Sequence, residues 1–154
     1  MAKRIGILSD THGLLREEVK SRLQGCRMIL HAGDIGSSSV LAQLRGIAAV
    51  VAVRGNVDTG SWAQELREEE YVEVDGHGIC LVHDLRMLTL DPAPAGIDVV
   101  LYGHSHKPAV EWKAGILYLN PGSAGPKRFH LPVSMAILSL TQEAISPELI
   151  EVQG

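Results

Sequence analysis

An α/β fold, with a parallel-sheet front half feeding a β-rich back half, is predicted by three features of this 154-residue chain. Apolar runs alternate with amphipathic stretches up to Val53. Paired apolar runs around hairpin-type turns dominate the remainder, and several strands end directly in polar residues able to do chemistry.

Taken in order, Arg4–Leu8 reads as a buried strand. Across 14–23, Leu15, Val19 and Leu23 recur at four-residue spacing, which predicts a helix. Met28–Leu30 is the next strand, and Ser37, Ser38 and Ser39 offer N-cap hydroxyls to a helix covering Val40, Leu41 and Leu44. Ile47–Val53, almost wholly apolar, is the third strand. Strands buried on both faces and joined by helices require a mostly parallel sheet.

Beyond it, Tyr71–Val74 and Ile79–Val82 flank Asp75-Gly76-His77-Gly78, a hairpin signal. Asp98–Tyr102 is another buried strand, and Ala109–Lys113 and Ile116–Leu119 flank Ala114-Gly115. Val133–Leu140 and Ala144–Val152 form a last antiparallel pair, with a break expected at Pro147 because proline lacks an N–H. The length suits a single domain over residues 1–154, without repeats or linkers.

Composition narrows the function. Hydrophobic residues make up 45% and charged residues 21%, values of an ordinary soluble globular protein. Fourteen Lys+Arg against eighteen Asp+Glu leave a net charge of -4, and no basic run exceeds Lys127-Arg128. That argues against stable nucleic-acid binding, which needs a dense cationic face. Ile47–Val53 is the longest apolar stretch, far short of the roughly 20 residues that span a bilayer. Ile5–Leu8 is too short for a secretory apolar region, and Cys26 and Cys80 are isolated, as buried reduced thiols are. A cytoplasmic location is expected.

The chemistry concentrates where strands end: Ser9-Asp10-Thr11-His12, Gly33-Asp34, Gly55-Asn56-Val57-Asp58, His83-Asp84 and Gly103-His104-Ser105-His106. Carboxyl ends of parallel strands share one edge, so these residues can converge. They are carboxylates, imidazoles and one amide, a mixture suited to zinc, manganese or iron. Asp10 and His12, and likewise His104 and His106, can point the same way only where the chain leaves regular β geometry. Seven candidate ligands exceed one tetrahedral ion and suit two neighbouring ions, the arrangement that drives displacement at phosphorus.

Asp10-Thr11-His12, Gly33-Asp34, Gly55-Asn56, His83 and Gly103-His104-Ser105-His106, in that order, resemble the calcineurin-like metallophosphoesterase superfamily. Arg54 before Gly55-Asn56, and Asn120-Pro121-Gly122-Ser123, are similar to its compact bacterial and archaeal phosphodiesterase branch, a likeness running from Lys3 to about Pro132. The resemblance implies a four-layer α-β-β-α sandwich of two mixed sheets, with Asp10, His12 and His106 on one ion, Asn56, His83 and His104 on another, and Asp34 bridging. It assigns catalysis to Asp34, Asn56, His83 and His104, through attack of a metal-bound hydroxide on a phosphodiester. Many members use manganese; iron, zinc, nickel or magnesium are alternatives. A small phosphodiester is the implied substrate, and small chains of this branch often form homo-oligomers. The same superfamily includes the scaffold subunit of the retromer coat, which makes a protein-interaction role the alternative.

Two departures from the family pattern bear on activity. Val57 stands where larger members carry a histidine that helps protonate the leaving alcohol, and Asp84-Leu85 replaces a common Gly-His. Modest turnover and a preference for good leaving groups are expected. Elsewhere plainer roles are expected: packing or support of ligands for His31, a solvated turn for His77, and a surface loop for His130. Arg54 suits a phosphate or a buried carboxylate partner, and Asn120–Ser123 is first a turn signal. Glu65, Glu68, Glu69 and Glu70 read as a solvated helix face and its exit, and Trp62 and Trp112 as core or partly buried.

Overall fold

In the computed structural model, which describes residues 2–128 and 130–152, the front half folds as β1 (Lys3–Leu8), α1 (Glu17–Leu23), β2 (Met28–His31), α2 (Ser38–Arg45) and β3 (Ala49–Ala52). The back half supplies β4 (Glu69–Val74), β5 (His77–Val82), β6 (Ile97–Leu101), β7 (Ala109–Lys113), β8 (Ile116–Asn120), β9 (Ser134–Leu140) and β10 (Ile145–Glu151). These strands make two five-stranded sheets, ordered β10-β9-β1-β2-β3 and β4-β5-β6-β8-β7. Both are mixed. β1, β2 and β3 run parallel, as do β5, β6 and β8, while β9, β10, β4 and β7 pair antiparallel.

Alternation along the strands builds the layers. Ile5 and Ile7 of β1, Leu30 of β2, and Ile79, Leu81, Val99, Leu101, Leu117 and Leu119 of the second sheet fill the space between the sheets. Leu8, Ile29 and Ile137 face the other way and meet Val19 and Leu23 of α1 and Val40, Leu41 and Leu44 of α2. On the far side of the second sheet, Cys80, Val82 and Val100 are covered by Leu85, Leu88 and Leu90. The expected sandwich is therefore present, its outermost layer being a 3-10 turn at Leu85–Met87 and the segment after it. Cys26 and Cys80 are buried free thiols. Among the described residues, no helix is long and apolar enough to cross a membrane.

Several local expectations are corrected. α1 begins at Glu17 because Arg16 is extended, and Ser37 precedes α2 without making a side-chain cap bond. Glu69 and Glu70 belong to β4, where Glu69 accepts from the Thr89 N–H and hydroxyl and from Tyr71, so the acidic run is no helix face. His77 opens β5 half-buried against the Thr141 carbonyl, 2.7 Å away. β10 continues through Pro147 as the edge strand, where proline's missing N–H can face away from β9. Trp62 packs against the helix-side core as expected, whereas Trp112 on edge strand β7 is exposed.

Candidate metal centre

The parallel strands deliver the site. Loops after β1, β2 and β3 carry Asp10 and His12, Asp34, and Asn56; loops after β5 and β6 carry His83, and His104 and His106. Both sheets thus send carboxyl ends to one edge of the sandwich.

There the backbone departs from β geometry at the candidate ligand positions themselves. φ is 56° at Asp10, 46° at His12, 56° at Asp34, 73° at His104 and 65° at His106, all in the left-handed region. Asp and His tolerate this region better than most residues, and such clusters mark functional sites. The close approach also needs glycine: a Cβ on Gly103 would strike Ser9 and Asp10, and one on Gly55 would strike Asp34.

Each carboxylate has one oxygen engaged by the protein and one left over. Asp10 Oδ2 accepts from the Ser9 hydroxyl at 2.6 Å and the His104 N–H at 3.1 Å. Its Oδ1 lies 3.3 Å from His106 Nε2, 3.7 Å from His12 Nε2 and 3.9 Å from His83 Nε2. Asp34 Oδ1 accepts from the Val57 N–H at 3.0 Å, and its Oδ2 lies 3.1 Å from His83 Nε2 and 3.8 Å from His12 Nε2. His83 Nδ1–H donates to the Ala32 carbonyl at 2.8 Å, which frees Nε2 to face the acids.

Among the described residues, the buried side-chain nitrogens and oxygens without a hydrogen-bond partner are Asp10 Oδ1, His12 Nε2, His83 Nε2 and His106 Nδ1. All four belong to the ligand set inferred from the sequence. An unsatisfied buried polar atom costs about 1–3 kcal/mol, so the gathering of His12 Nε2 and His83 Nε2 within 3.9 Å of Asp10 Oδ1 fits a cation that coordinates them. Two groups have ligand-type atoms within 4.8 Å of one another: Asp10, His12 and His106, and Asp10, Asp34 and His83. Asp10 is common to both. Asn56 and His104 stand on the exposed side, the His104 ring 5.4 Å from that of His83.

Electrostatics agree with this donor set. Burial alone would raise the Asp34 carboxyl, but His83 and the Val57 N–H outweigh it and push it down to about 2. At Asp10 burial is again outweighed, by His12, Ser9 and the charges of His83 and His106, and the carboxyl sits below its usual value. Asp10 raises His12, and Asp34 and Asp10 raise His83 against the opposing effect of burial. The charge of Arg128, from the Lys127-Arg128 pair flagged in the sequence, opposes protonation of both His12 and His106.

A layer behind the ligands holds the loops. His31 is fully buried; its Nδ1 accepts from the Gly33 N–H at 3.1 Å, so Nε2–H donates to Thr11 Oγ1 at 3.0 Å. The Thr11 hydroxyl donates in turn to the Ile35 carbonyl at 2.8 Å. Asn120 donates to the Gly103 carbonyl at 3.2 Å, and Ser123 to the Asp10 carbonyl at 3.0 Å, which gives the Asn-Pro-Gly-Ser turn a part in shaping the site. Sequence reasoning places Asp58 at a strand end but gives it no role. Its buried carboxylate accepts from the N–H groups of Ile35 (3.1 Å), Gly36 (2.9 Å) and Gly55 (2.9 Å), tying the Asp34 loop to the Asn56 loop. Three backbone donors converging on one acid leave no mark in a sequence.

Burial pushes the His31 imidazole down to about 4 from 6.5, which fixes the sign of its pH effect. Between those values the unfolded chain binds a proton that the folded chain refuses, so stability falls as pH is lowered across that window, by on the order of 3 kcal/mol. His12 and His83 act with the opposite sign, their contribution being lost as pH rises. Urea unfolding of metal-stripped wild type and His31→Gln is expected to give a shallower loss between pH 7 and 4.5 in the variant; equal slopes would contradict this role.

Two charged residues near the site differ from expectation. Arg54 pairs with exposed Glu68 at 3.3 Å rather than with a buried acid. Arg86 holds Asp84 by two side-chain bonds, at 3.1 and 2.7 Å, and pushes its carboxyl down to about 2. The negative charge that Asp84 brings within 3.8 Å of His104 thus has a cation attached.

A family model for the calcineurin-like phosphoesterase superfamily domain matches residues 4–143. A probable metallophosphoesterase of Methanothermobacter thermautotrophicus is 30% identical over 158 residues, covering 95% of this chain and 91% of its own length. A phosphodiesterase of Methanocaldococcus jannaschii is 30% identical over 137 residues, covering 77% of this chain and 82% of its own. In fold, Vps29 of Chaetomium thermophilum matches with a TM-score of 0.79 over 98% of this chain and 97% of its own, at 17% identity. The family match covers the second sheet, strands β1, β2, β3 and β9 of the first and every loop that carries a ligand-type residue, and with these relatives it makes the chain a member of the calcineurin-like phosphoesterase superfamily, whose members bind divalent metals.

Proposed function

We propose that this protein is a dinuclear metal-dependent phosphodiesterase, with Asp10, His12 and His106 holding one cation, Asn56, His83 and His104 the other, and Asp34 shared between them. The supporting observation is the set of four unpartnered buried atoms, all from proposed ligands. When bound, the cations supply Lewis acidity toward phosphoryl oxygens and a water of lowered pKa.

The chain's own groups prepare that chemistry. Ser9 and the His104 N–H fix Asp10, the Val57 N–H fixes Asp34, and the Ala32 carbonyl fixes the His83 tautomer, so these three ligands are aimed before any ion arrives. Val57 contributes its backbone here, while its side chain offers no proton to a leaving alcohol. Phosphodiesterase-named relatives support the diester substrate.

Metal analysis of the purified protein, followed by hydrolysis of bis(p-nitrophenyl) phosphate against a free-ion control, tests the proposal. Two ions per chain and metal-dependent turnover are expected; one ion per chain overturns the dinuclear assignment. Manganese is also expected to raise the unfolding free energy read from urea titration, by about 2.7 kcal/mol per site at a hundredfold excess over Kd, and to do so far less in His83→Ala. Metal uptake without hydrolysis would favour a protein-interaction scaffold, a reading the fold shared with Vps29 allows.

A further inference from the structure

A pocket of about 330 Å³ opens beside the proposed second cation set, lined by Asn56, His83 and His104 at one side and by Arg54, Glu68, Val82, Asp84 and Met87 around the rest. Its size is at the small end for ligand sites and suits one compact organic group rather than a run of polymer. Its charged walls are self-neutralised: Glu68 engages Arg54 at 3.3 Å, and Arg86 engages Asp84 at 2.7 Å. A second phosphate or carboxylate entering there would meet two acids and find its one lining guanidinium already paired. Met87, 62% exposed, instead offers the pocket a polarizable apolar surface, and Val82 lines the same pocket.

We infer that this pocket seats an ester group of the substrate and selects an uncharged, apolar group about the size of an aromatic ring. The inference rests on the phosphoesterase reading, since it takes the phosphoryl group to lie at Asn56, His83 and His104. Met87 is then the apolar wall, and Asp84 and Glu68 are specificity-determining residues that keep the guanidinium groups from a second anion.

Calorimetric titration of the manganese-loaded protein with methyl phosphate, phenyl phosphate and 2-carboxyethyl phosphate tests it without reading hydrolysis. Phenyl phosphate is expected to bind about tenfold more tightly than methyl phosphate, from burial of the ring, and 2-carboxyethyl phosphate more weakly than methyl phosphate. Met87→Glu, a change at an exposed side chain, is expected to remove the phenyl advantage, and Glu68→Gln to lift the penalty on the carboxyl group by freeing Arg54. Equal affinities for the phenyl and methyl probes, or a phenyl advantage that survives in Met87→Glu, would overturn the inference. A phenyl preference in a protein that hydrolyses no phosphodiester leaves the pocket standing and removes the enzyme. Hydrolysis without the preference removes the pocket alone.

Discussion

Asp34→Asn is expected to lower turnover of bis(p-nitrophenyl) phosphate by about a thousandfold or more while the chain stays folded. Asparagine keeps the shape of the side chain, and its amide oxygen can still take the Val57 N–H. What it loses is the charge, at a position 3.1 Å from His83 and 3.8 Å from His12. It also turns N–H donors toward imidazole nitrogens meant for a cation. Replacing groups that merely orient ligands costs about 10–100-fold, so losing the shared ligand must cost more. Circular dichroism, metal content and kcat measured together check this: an intact fold, fewer ions per chain and collapsed kcat are expected. Turnover within tenfold of wild type would remove Asp34 from the proposed centre.

Asp58→Ala is expected to cost on the order of 4 kcal/mol of stability, because three backbone donors lose one acceptor at once. Asp58→Asn is expected to cost about half of that, since one oxygen can still serve the Ile35 and Gly55 N–H groups that share Oδ2. Metal affinity should fall with stability, as the two loops joined by this acid carry Asp34 and Asn56. Urea unfolding decides the matter, and a midpoint unchanged in Asp58→Ala would refute the role.

Where strands begin and end was largely legible, because burial on both faces makes β1, β2, β6 and β8 near-continuous apolar runs. Positions of the ligand-type residues followed, since a polar residue directly after such a run must sit at the sheet's edge. Features depending on a partner distant in sequence were not legible. Pro147 reads as a break until β10 is seen to be an edge, and Glu69 reads as solvated until Thr89 lies opposite. Asp58 looks like any turn acid until two loops close on it. Trp112 carries no sign that β7 would end up at the margin of its sheet with its ring outside.

The left-handed conformations at Asp10, His12, Asp34, His104 and His106 set stability against chemistry. Glycine suits each of those backbones best and can grip nothing, so a descendant that exchanged an acid or imidazole there for glycine would shed its reaction and relax its main chain together. Relief of backbone strain would then oppose selection for turnover at these positions, while at Asp10 and Asp34 the hydrogen bonds from Ser9, His104 and Val57 would resist the exchange.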